Sequence, residues 1–192
     1  NKLLAHGDPN GKFWVPAMAD TPLRGYNGRH EWFWEPDDEN NIYPLNELMD
    51  KYEKSVGRNA TLILGLTPDP NGLIPTGDEQ RLKEFGTEIN RRFSSPLAQT
   101  SGQKKSLTLK LDKKQPVNYC IIQENIQNGE RIRQYKVEAK VNGKWQTVCS
   151  GESVGHKRIE KFDPVEATAL RLTVLQSIAL PDIINFSAFS VN

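Results

Sequence analysis

The spacing of apolar residues changes near residue 95, and this change limits the folds that the chain can adopt. Before it, segments with apolar residues every three or four positions alternate with short continuous apolar runs. After it, apolar residues recur at every second position, as Leu107, Leu109 and Leu111 do in SLTLKLD. Because helices and half-buried strands have different periods, we predict two domains, residues 1–94 and 95–192.

The first region predicts strands that alternate with helices. FWVPAMA and ATLILGL read as strands, and the all-apolar ATLILGL predicts burial on both faces, as in a parallel sheet. One face of each predicted helix is apolar, with Leu45, Leu48, Met49, Tyr52 and Val56 in the first helix and Leu82, Phe85 and Ile89 in the second. Two such units cannot close a sheet, since a (β/α)8 barrel needs about 250 residues. Residues 1–94 therefore resemble the end of something larger.

The second region predicts strands only. At least six alternating segments follow Ser95, and Asn142-Gly143 between two of them is a strong hairpin signal. Cys120 and Cys149 lie in strand-like segments, either as two small core residues or as a disulfide. We predict an antiparallel β-sandwich made of two packed sheets.

Composition excludes several classes of partner. Basic and acidic residues number 25 and 24, so net charge gives no reason to expect nucleic acid or an anionic membrane. No apolar run approaches the roughly 20 residues that span a bilayer, and the N-terminus does not have the form of a signal peptide. Metal-ligand spacing is absent, and we expect no cofactor.

The segment RHEWFWEPDDE, residues 29–39, is the candidate site. Aromatic rings interleaved with carboxylates are typical of sugar-cleaving sites, but acidic surface loops have the same composition. Asp37, Asp38 and Glu39 read as a solvated turn before the first helix. We also consider an ion pair between Asp20 and Arg24, and a capping role for Thr76 or Asp78 at the second helix.

Longer motifs resemble a known family. YEKSVGRNATLILGLTPDPNGLIPTGDEQRLKEFGTEI, with FWVPAMADTPLRG and WFWEPDDE before it, resembles the last part of the catalytic barrel of glycoside hydrolase family 29 α-L-fucosidases. QENIQNGERIRQYKVEAKVNGKWQTV and SVGHKRIEKFDPVEATALRLTV resemble the discoidin-like sandwich that follows this barrel. The resemblance implies the C-terminal portion of a (β/α)8 barrel in residues 1–94 and a discoidin-like antiparallel β-sandwich in residues 95–192.

The resemblance also implies an activity. These enzymes remove terminal α-L-fucose from glycans with retention, using a nucleophilic carboxylate and a second carboxyl group as acid and base. The family's nucleophile is an aspartate on an earlier barrel strand, upstream of this chain. We therefore expect fucosylated glycans and the upstream barrel portion as partners, no activity from the chain alone, and a secreted or periplasmic location.

The acid/base glutamate has two candidates in this chain. In one branch of the family it follows WVPA, where this sequence has Met18, which cannot transfer a proton. We favour Glu31, which lies beside Trp32, over Glu35, with a glutamate upstream of the chain as the third option. Loops at the carboxyl ends of barrel strands carry the active site in this fold.

Four neighbouring residues are candidates for substrate binding. Trp32 and Trp34 could present an aromatic face to fucose, although at least one of these rings is expected to be structural. Arg29 and His30 could bind hydroxyl groups or the glutamate, although a lone loop histidine such as His30 is more often a surface residue. Arg58 and Asn59 read as the end of the first helix, and Asp69 as a turn residue.

The sandwich offers a competing function. Trp145, His156, Lys157 and Arg158 are candidate sugar-binding residues, since discoidin-like sandwiches can bind sugars through loops with an aromatic and a few polar groups. Trp145, at the start of a strand, also suits packing in the core or against the barrel, and docking against the barrel is the commoner role of such a domain. A non-catalytic carbohydrate-binding module is therefore the alternative to an enzyme part.

Overall fold

The computed structural model describes residues 17–28 and 31–192. These residues form two compact units. We call residues 17–28, 31–55 and 60–94 the βα unit, and residues 56–59 and 95–192 the β unit.

The βα unit contains a parallel strand pair and two helices. Its elements are β1 (Ala17–Pro22), a 3-10 helix (Glu39–Asn41), α1 (Leu45–Ser55), β2 (Ala60–Gly65) and α2 (Thr76–Phe93). Ala17 lies opposite Ala60 and Pro22 opposite Gly65, so the carboxyl ends of the two strands meet at the same edge. The predicted alternation of strand and helix is thus confirmed here, while Phe13–Pro16 of the first predicted strand lie outside the described residues.

The apolar faces predicted for both helices form the core of this unit. Leu48, Met49 and Phe85 are buried together with Leu23, and Leu45, Tyr52, Leu62, Leu64, Leu82 and Ile89 pack around them. The prediction that ATLILGL is buried on both faces is wrong. Ile63 points away from this cluster and is 42% exposed, because β2 pairs only with β1 among the described residues.

The β unit is an antiparallel sheet of six strands. They are β3 (Ala98–Gly102), β4 (Ser106–Glu124), β5 (Ile132–Val141), β6 (Lys144–Gly151), β7 (Arg158–Ser177) and β8 (Ile183–Phe189), in the order β3-β8-β4-β7-β5-β6. Asn142 and Gly143 have the positive φ angles of a two-residue hairpin, as their sequence predicts.

One bent sheet makes both layers, instead of the two separate sheets expected. β4 and β6 are three positions apart, which is about 14 Å in a flat sheet. Yet the Cys120 thiol on β4 forms a side-chain hydrogen bond with Cys149 on β6, and this contact, with burial, raises the pKa of Cys120. Both cysteines are thiols. The sheet therefore curls enough to bring β6 against β4, and the register of β4 shifts between Lys110 and Gln115.

The buried carboxylate of Glu124 joins three segments of the β unit. One oxygen accepts hydrogen bonds from the backbone N–H groups of Arg131 and Ile132, at 2.9 and 3.1 Å. The other accepts one from Gly155 at 3.0 Å. Burial raises the pKa of Glu124, and the three backbone donors partly oppose that rise. The end of β4, the start of β5 and the loop before β7 thus depend on one side chain.

Residues 56–59 pair with the start of β7, although they connect α1 to β2. The N–H of Asn59 donates to the Lys157 carbonyl, and the N–H of Ile159 donates to the Gly57 carbonyl, both at 3.0 Å. The Asn59 side chain accepts from the N–H of His156 at 2.7 Å. The interpretation of Asn59 as a simple helix end is therefore incomplete, because its partners lie 97 residues away.

Gly155 is needed for this pairing. It has a φ of 61°, and a Cβ atom at this position would collide with the amide group of Asn59. A side chain here would meet both strain and a steric clash.

We predict that Glu124→Gln lowers the free energy of unfolding by about 1–3 kcal/mol. The amide nitrogen of glutamine would face a backbone N–H that now donates to a carboxylate oxygen. Urea denaturation at neutral pH measures the loss. Glu166→Gln, at an exposed position of β7, is the matched control and should change stability by less than about 0.5 kcal/mol. Equal losses in the two variants would contradict the prediction.

Candidate functional site

The loop between β1 and α1 is closed at its base by backbone hydrogen bonds. Gly25 and Tyr26 both donate to the Asn41 carbonyl, at 2.8 and 3.0 Å, and Tyr43 donates to the Leu23 carbonyl at 3.0 Å. The rings of Tyr26 and Tyr43 meet edge to face across this base. The segment with the carboxylates and tryptophans therefore begins from a fixed stem at the carboxyl end of β1.

A buried ion pair connects this stem to α2. Arg24 is 1% exposed and Asp78 is fully buried. The Nε and Nη2 atoms of Arg24 donate to Oδ1 of Asp78 at 3.1 and 2.8 Å. The prediction that Arg24 pairs with Asp20 is thus wrong. The prediction that Asp78 caps α2 is also wrong, because the N-cap residue is Pro75 and no side chain caps this end of the helix. Asp78, in the first turn of α2, instead binds Arg24 in the stem of the loop.

Trp32 lies over the carboxyl ends of the two parallel strands. A Cβ atom built on Gly65 would be 3.0 Å from Cζ3 of Trp32 and 3.6 Å from the Cα of Pro22. Gly65 ends β2 and Pro22 ends β1. The absence of a side chain at Gly65 therefore lets the indole approach the strand ends, where α/β enzymes place their sites.

The predicted catalytic and binding residues have different environments. Glu31 is buried at 4% exposure, whereas Glu35 and Trp34 are half-buried. Trp32 is 47% exposed, so one side of its ring is open while the other packs on the strand ends. The roles assigned to these four residues stay predictions. Arg29 and His30 lie outside the described residues.

Two residues at this site were not selected from the sequence. Gly65 follows an apolar strand, and a glycine in that position is a known signal of close approach by another group. Asp78 was considered only as a helix cap. Met18 lies early on β1 and is 68% exposed.

Asp69 is a turn residue, as its Asp-Pro-Asn-Gly context predicts. Its carboxylate accepts hydrogen bonds from the N–H groups of Leu73 and Asn71, at 2.9 and 2.8 Å. The Leu73 hydrogen bond is the main cause of a lowered pKa at Asp69. The side chain is therefore used within its own loop.

A second concave region lies in the β unit. It is a cavity of about 490 Å³ lined by Gln134, Ser150, Gly151, Glu152, Ser153 and Arg158. Of the four sandwich residues singled out in the sequence, only Arg158 lines it. All side chains in this lining are polar, so the cavity suits a small hydroxyl-rich molecule.

A buried hydrogen-bonded cluster supports this cavity. Glu160 accepts hydrogen bonds from the Tyr135 hydroxyl and, at 2.8 Å, from Nε of Arg158. Burial is the main cause of a raised pKa at Tyr135. A Cβ atom on Gly151 would collide with the Tyr135 hydroxyl, so glycine is required at that point of the lining. The cluster fixes the position of Arg158.

Residues 17–28 and 31–192 contain no group of three or more His, Cys, Asp or Glu side chains that could hold a metal ion. Within the same ranges, no helix has both the length and the apolar composition that crossing a bilayer requires.

Known proteins match both halves of the chain. Residues 77–185 match the family model of the F5/8 type C domain. A protein of Oryza sativa subsp. japonica named as a candidate α-L-fucosidase 1 is 33% identical over 96% of this chain and 41% of its own length. The chain thus spans about two fifths of this curated relative.

Solved structures extend the match. A candidate α-L-fucosidase from Bacteroides thetaiotaomicron is 86% identical, with a TM-score of 0.96 over 100% of this chain and 44% of that one. A family 29 fucosidase from Ruminococcus gnavus in complex with fucose is 27% identical, with a TM-score of 0.83 over 97% of this chain and 43% of that one.

We predict that Asp78→Asn lowers the free energy of unfolding by up to about 3–5 kcal/mol, because it leaves the buried Arg24 guanidinium with only the Asp38 carboxylate, 3.9 Å from Nη1, as its counter-charge. Chemical denaturation measures the loss. Arg24→Met combined with Asp78→Leu removes both charges and should cost clearly less than Asp78→Asn alone. A double variant less stable than the single one would refute the assignment.

We predict that Gly65→Ala lowers the free energy of unfolding by about 1 kcal/mol, because the new methyl group must push the Trp32 ring away. In a Trp32→Ala background the same substitution should cost nothing, since no ring remains to be displaced. The four unfolding free energies form a double-mutant cycle. A loss of equal size in both backgrounds would show that Trp32 does not lie over Gly65.

Proposed function

The chain belongs to the F5/8 type C family and matches the C-terminal part of glycoside hydrolase family 29 α-L-fucosidases, and from this premise we propose that it is part of a retaining exo-α-L-fucosidase. The substrate is a glycan that ends in α-L-fucose. The βα unit is the last portion of a (β/α)8 barrel, and its parallel strand pair with helical crossovers supports this assignment.

The position of Trp32 is the observation that carries the proposal. Its ring lies against Gly65 at the carboxyl end of β2, where Gly65 pairs with Pro22 of β1, and buried Glu31 is next to it in the chain. Active sites of (β/α)8 enzymes lie at this end of the strands. The open side of the indole can pack on the apolar side of the sugar ring, including the C6 methyl group of fucose.

Glu31 is the proposed acid and base. In the first step it donates a proton to the leaving glycosidic oxygen while a nucleophilic aspartate attacks the anomeric carbon. In the second step it takes a proton from the water that hydrolyses the fucosyl-enzyme. We favour it over Glu35 because it is buried and next to Trp32 in the chain, whereas Glu35 is half-buried.

The nucleophilic aspartate lies in the upstream barrel portion, which is a necessary partner of this chain. With one of the two carboxyl groups, the chain alone would be inactive. A secreted or periplasmic location is proposed because fucosylated glycans are extracellular material.

The alternative is a non-catalytic carbohydrate-binding module, which the polar cavity of the β unit favours. Calorimetry of the full chain with fucose distinguishes the two readings. Millimolar or tighter binding that Glu152→Ala weakens and Glu31→Ala leaves unchanged would support the module. Binding that depends on Trp32 but not on Glu152 would place the sugar in the βα unit.

We predict that Glu31→Ala in the intact protein reduces hydrolysis of a natural fucoside by about 10²–10⁴-fold, the usual contribution of a general acid. An aryl fucoside with a good leaving group needs little protonation, so its first step should be much less affected. Steady-state and pre-steady-state rates on both substrates measure the difference.

Glu35→Ala is the matched control, since it removes an equal carboxylate from the same loop. It should leave the ratio of the two rates unchanged. If Glu35→Ala instead slowed the natural fucoside much more than the aryl fucoside, and Glu31→Ala turned over both normally, Glu35 would be the acid and base.

A further inference from the structure

The near-zero net charge conceals an uneven distribution of cations. Residues 104–114 contain five lysines and one aspartate, while the whole chain has a formal charge of +1. Residues 136–144 contain three further lysines and one glutamate. The first segment begins β4, and the second includes most of β5 and the hairpin to β6.

The sheet register brings these residues to one face. Arg171 on β7 lies opposite Thr108 on β4 and Glu138 on β5. One row further along, Lys110 lies opposite Ala169, and Lys140 lies opposite Trp145 on β6. The intervening residues, such as Leu109 and Leu172, point into the core. We call the surface formed by Lys110, Lys136, Glu138, Lys140, Trp145 and Arg171 the cationic face.

Two cations of this face lie close to the Trp145 ring. The guanidinium carbon of Arg171 is 4.4 Å from the ring centroid, and Nζ of Lys140 is 5.9 Å from it. Glu138 pairs with Arg171 at 2.9 Å and with Lys136 at 3.0 Å. Burial acts to raise the pKa of Glu138, but its hydrogen bonds with Lys136 and Arg171 and their charges lower it overall.

The remaining lysines leave the face positive. Within residues 17–28 and 31–192, no ion pair involves Lys110, Lys113, Lys114, Lys140 or Lys144. Lys110, Lys113, Lys114 and Lys144 are exposed. Nζ of Lys114 reaches Oδ1 of Asn142 at 3.3 Å, which links the β4 bulge to the β5–β6 hairpin. Of these lysines, Lys110 and Lys140 belong to the cationic face, which therefore has four cations, Lys110, Lys136, Lys140 and Arg171, and one carboxylate, Glu138.

The cationic face borders the cavity of the β unit at Lys136, which lies opposite Ser150 of the cavity lining, and its other members extend away from there. Arg171 follows Arg158, which lines the cavity, by thirteen residues on the same strand, or about 40 Å of extended chain. Residues 56–59 pair near Arg158, at that other end of β7. Lys110 and Lys140 of the cationic face are not among the residues that line the cavity.

We propose that the cationic face docks an acidic polysaccharide, one that carries sulfate or carboxylate groups. Charge complementarity selects a polyanion, and an open sheet face with a tryptophan among its cations fits an extended chain of sugars better than a single small anion. The choice of a glycan as the polyanion rests on the proposed function. The face would hold the enzyme on acidic glycans that also carry fucose.

The test is affinity for a sulfated polysaccharide, with heparin as the probe and neutral dextran as the reference, using the intact protein at low salt. Lys110→Gln combined with Lys140→Gln should weaken heparin binding roughly tenfold, at about threefold for each exposed ion pair lost. Lys54→Gln combined with Lys83→Gln, two exposed lysines of α1 and α2, removes the same charge and should leave heparin binding unchanged.

The outcomes are distinct. No heparin binding by the unaltered protein, or equal weakening by both double variants, would overturn the proposal. Tighter binding to single-stranded DNA or to phosphatidylserine vesicles than to heparin would overturn the choice of a glycan. Turnover of a small aryl fucoside should be equal in all three proteins, so failure of the docking face and failure of the proposed catalysis are measured separately.

Discussion

The candidate site depends on the buried ion pair between Arg24 and Asp78. Arg24 belongs to the stem of the loop that follows β1, and Asp78 belongs to the first turn of α2. Two charges removed from water are stable only when they face each other closely, so this pair fixes one relative position of loop and helix. The placement of Trp32 over the strand ends, and with it the environment of Glu31, follows from that position.

Local patterns in the sequence predicted the helices and strands, but they could not predict contacts between residues that are far apart in the sequence. The helices follow from the spacing of Leu48, Met49 and Phe85, because a helix repeats its buried face every 3.6 residues. Arg24 and Asp78 are separated by 54 residues, and no local rule selects Asp78 over Asp20 as the partner. In the site, composition identified the loop, but the packing of one ring on Gly65 is a property of the fold.

Net charge and local charge support different conclusions in this protein. Summed over the chain, cations and carboxylates cancel, which argued against a polyanionic partner. The antiparallel register of β4, β7, β5 and β6 then gathers lysines from two distant segments on one surface. Sequence order could not show this, because Lys110 and Lys140 lie on β4 and β5, and only the pairing of both strands with β7 brings the two segments together.

The pairing of residues 56–59 with β7 makes the β unit discontinuous in sequence. The chain leaves the βα unit after Ser55, contributes four residues to the β unit, returns at Ala60 and leaves again after Ser94. A gene fragment that starts at Ser95 would omit Asn59, whose amide group occupies the space beside Gly155. A β unit cut at Ser95 would therefore lack the backbone and side-chain hydrogen bonds that residues 56–59 make with the start of β7 and with the loop before it.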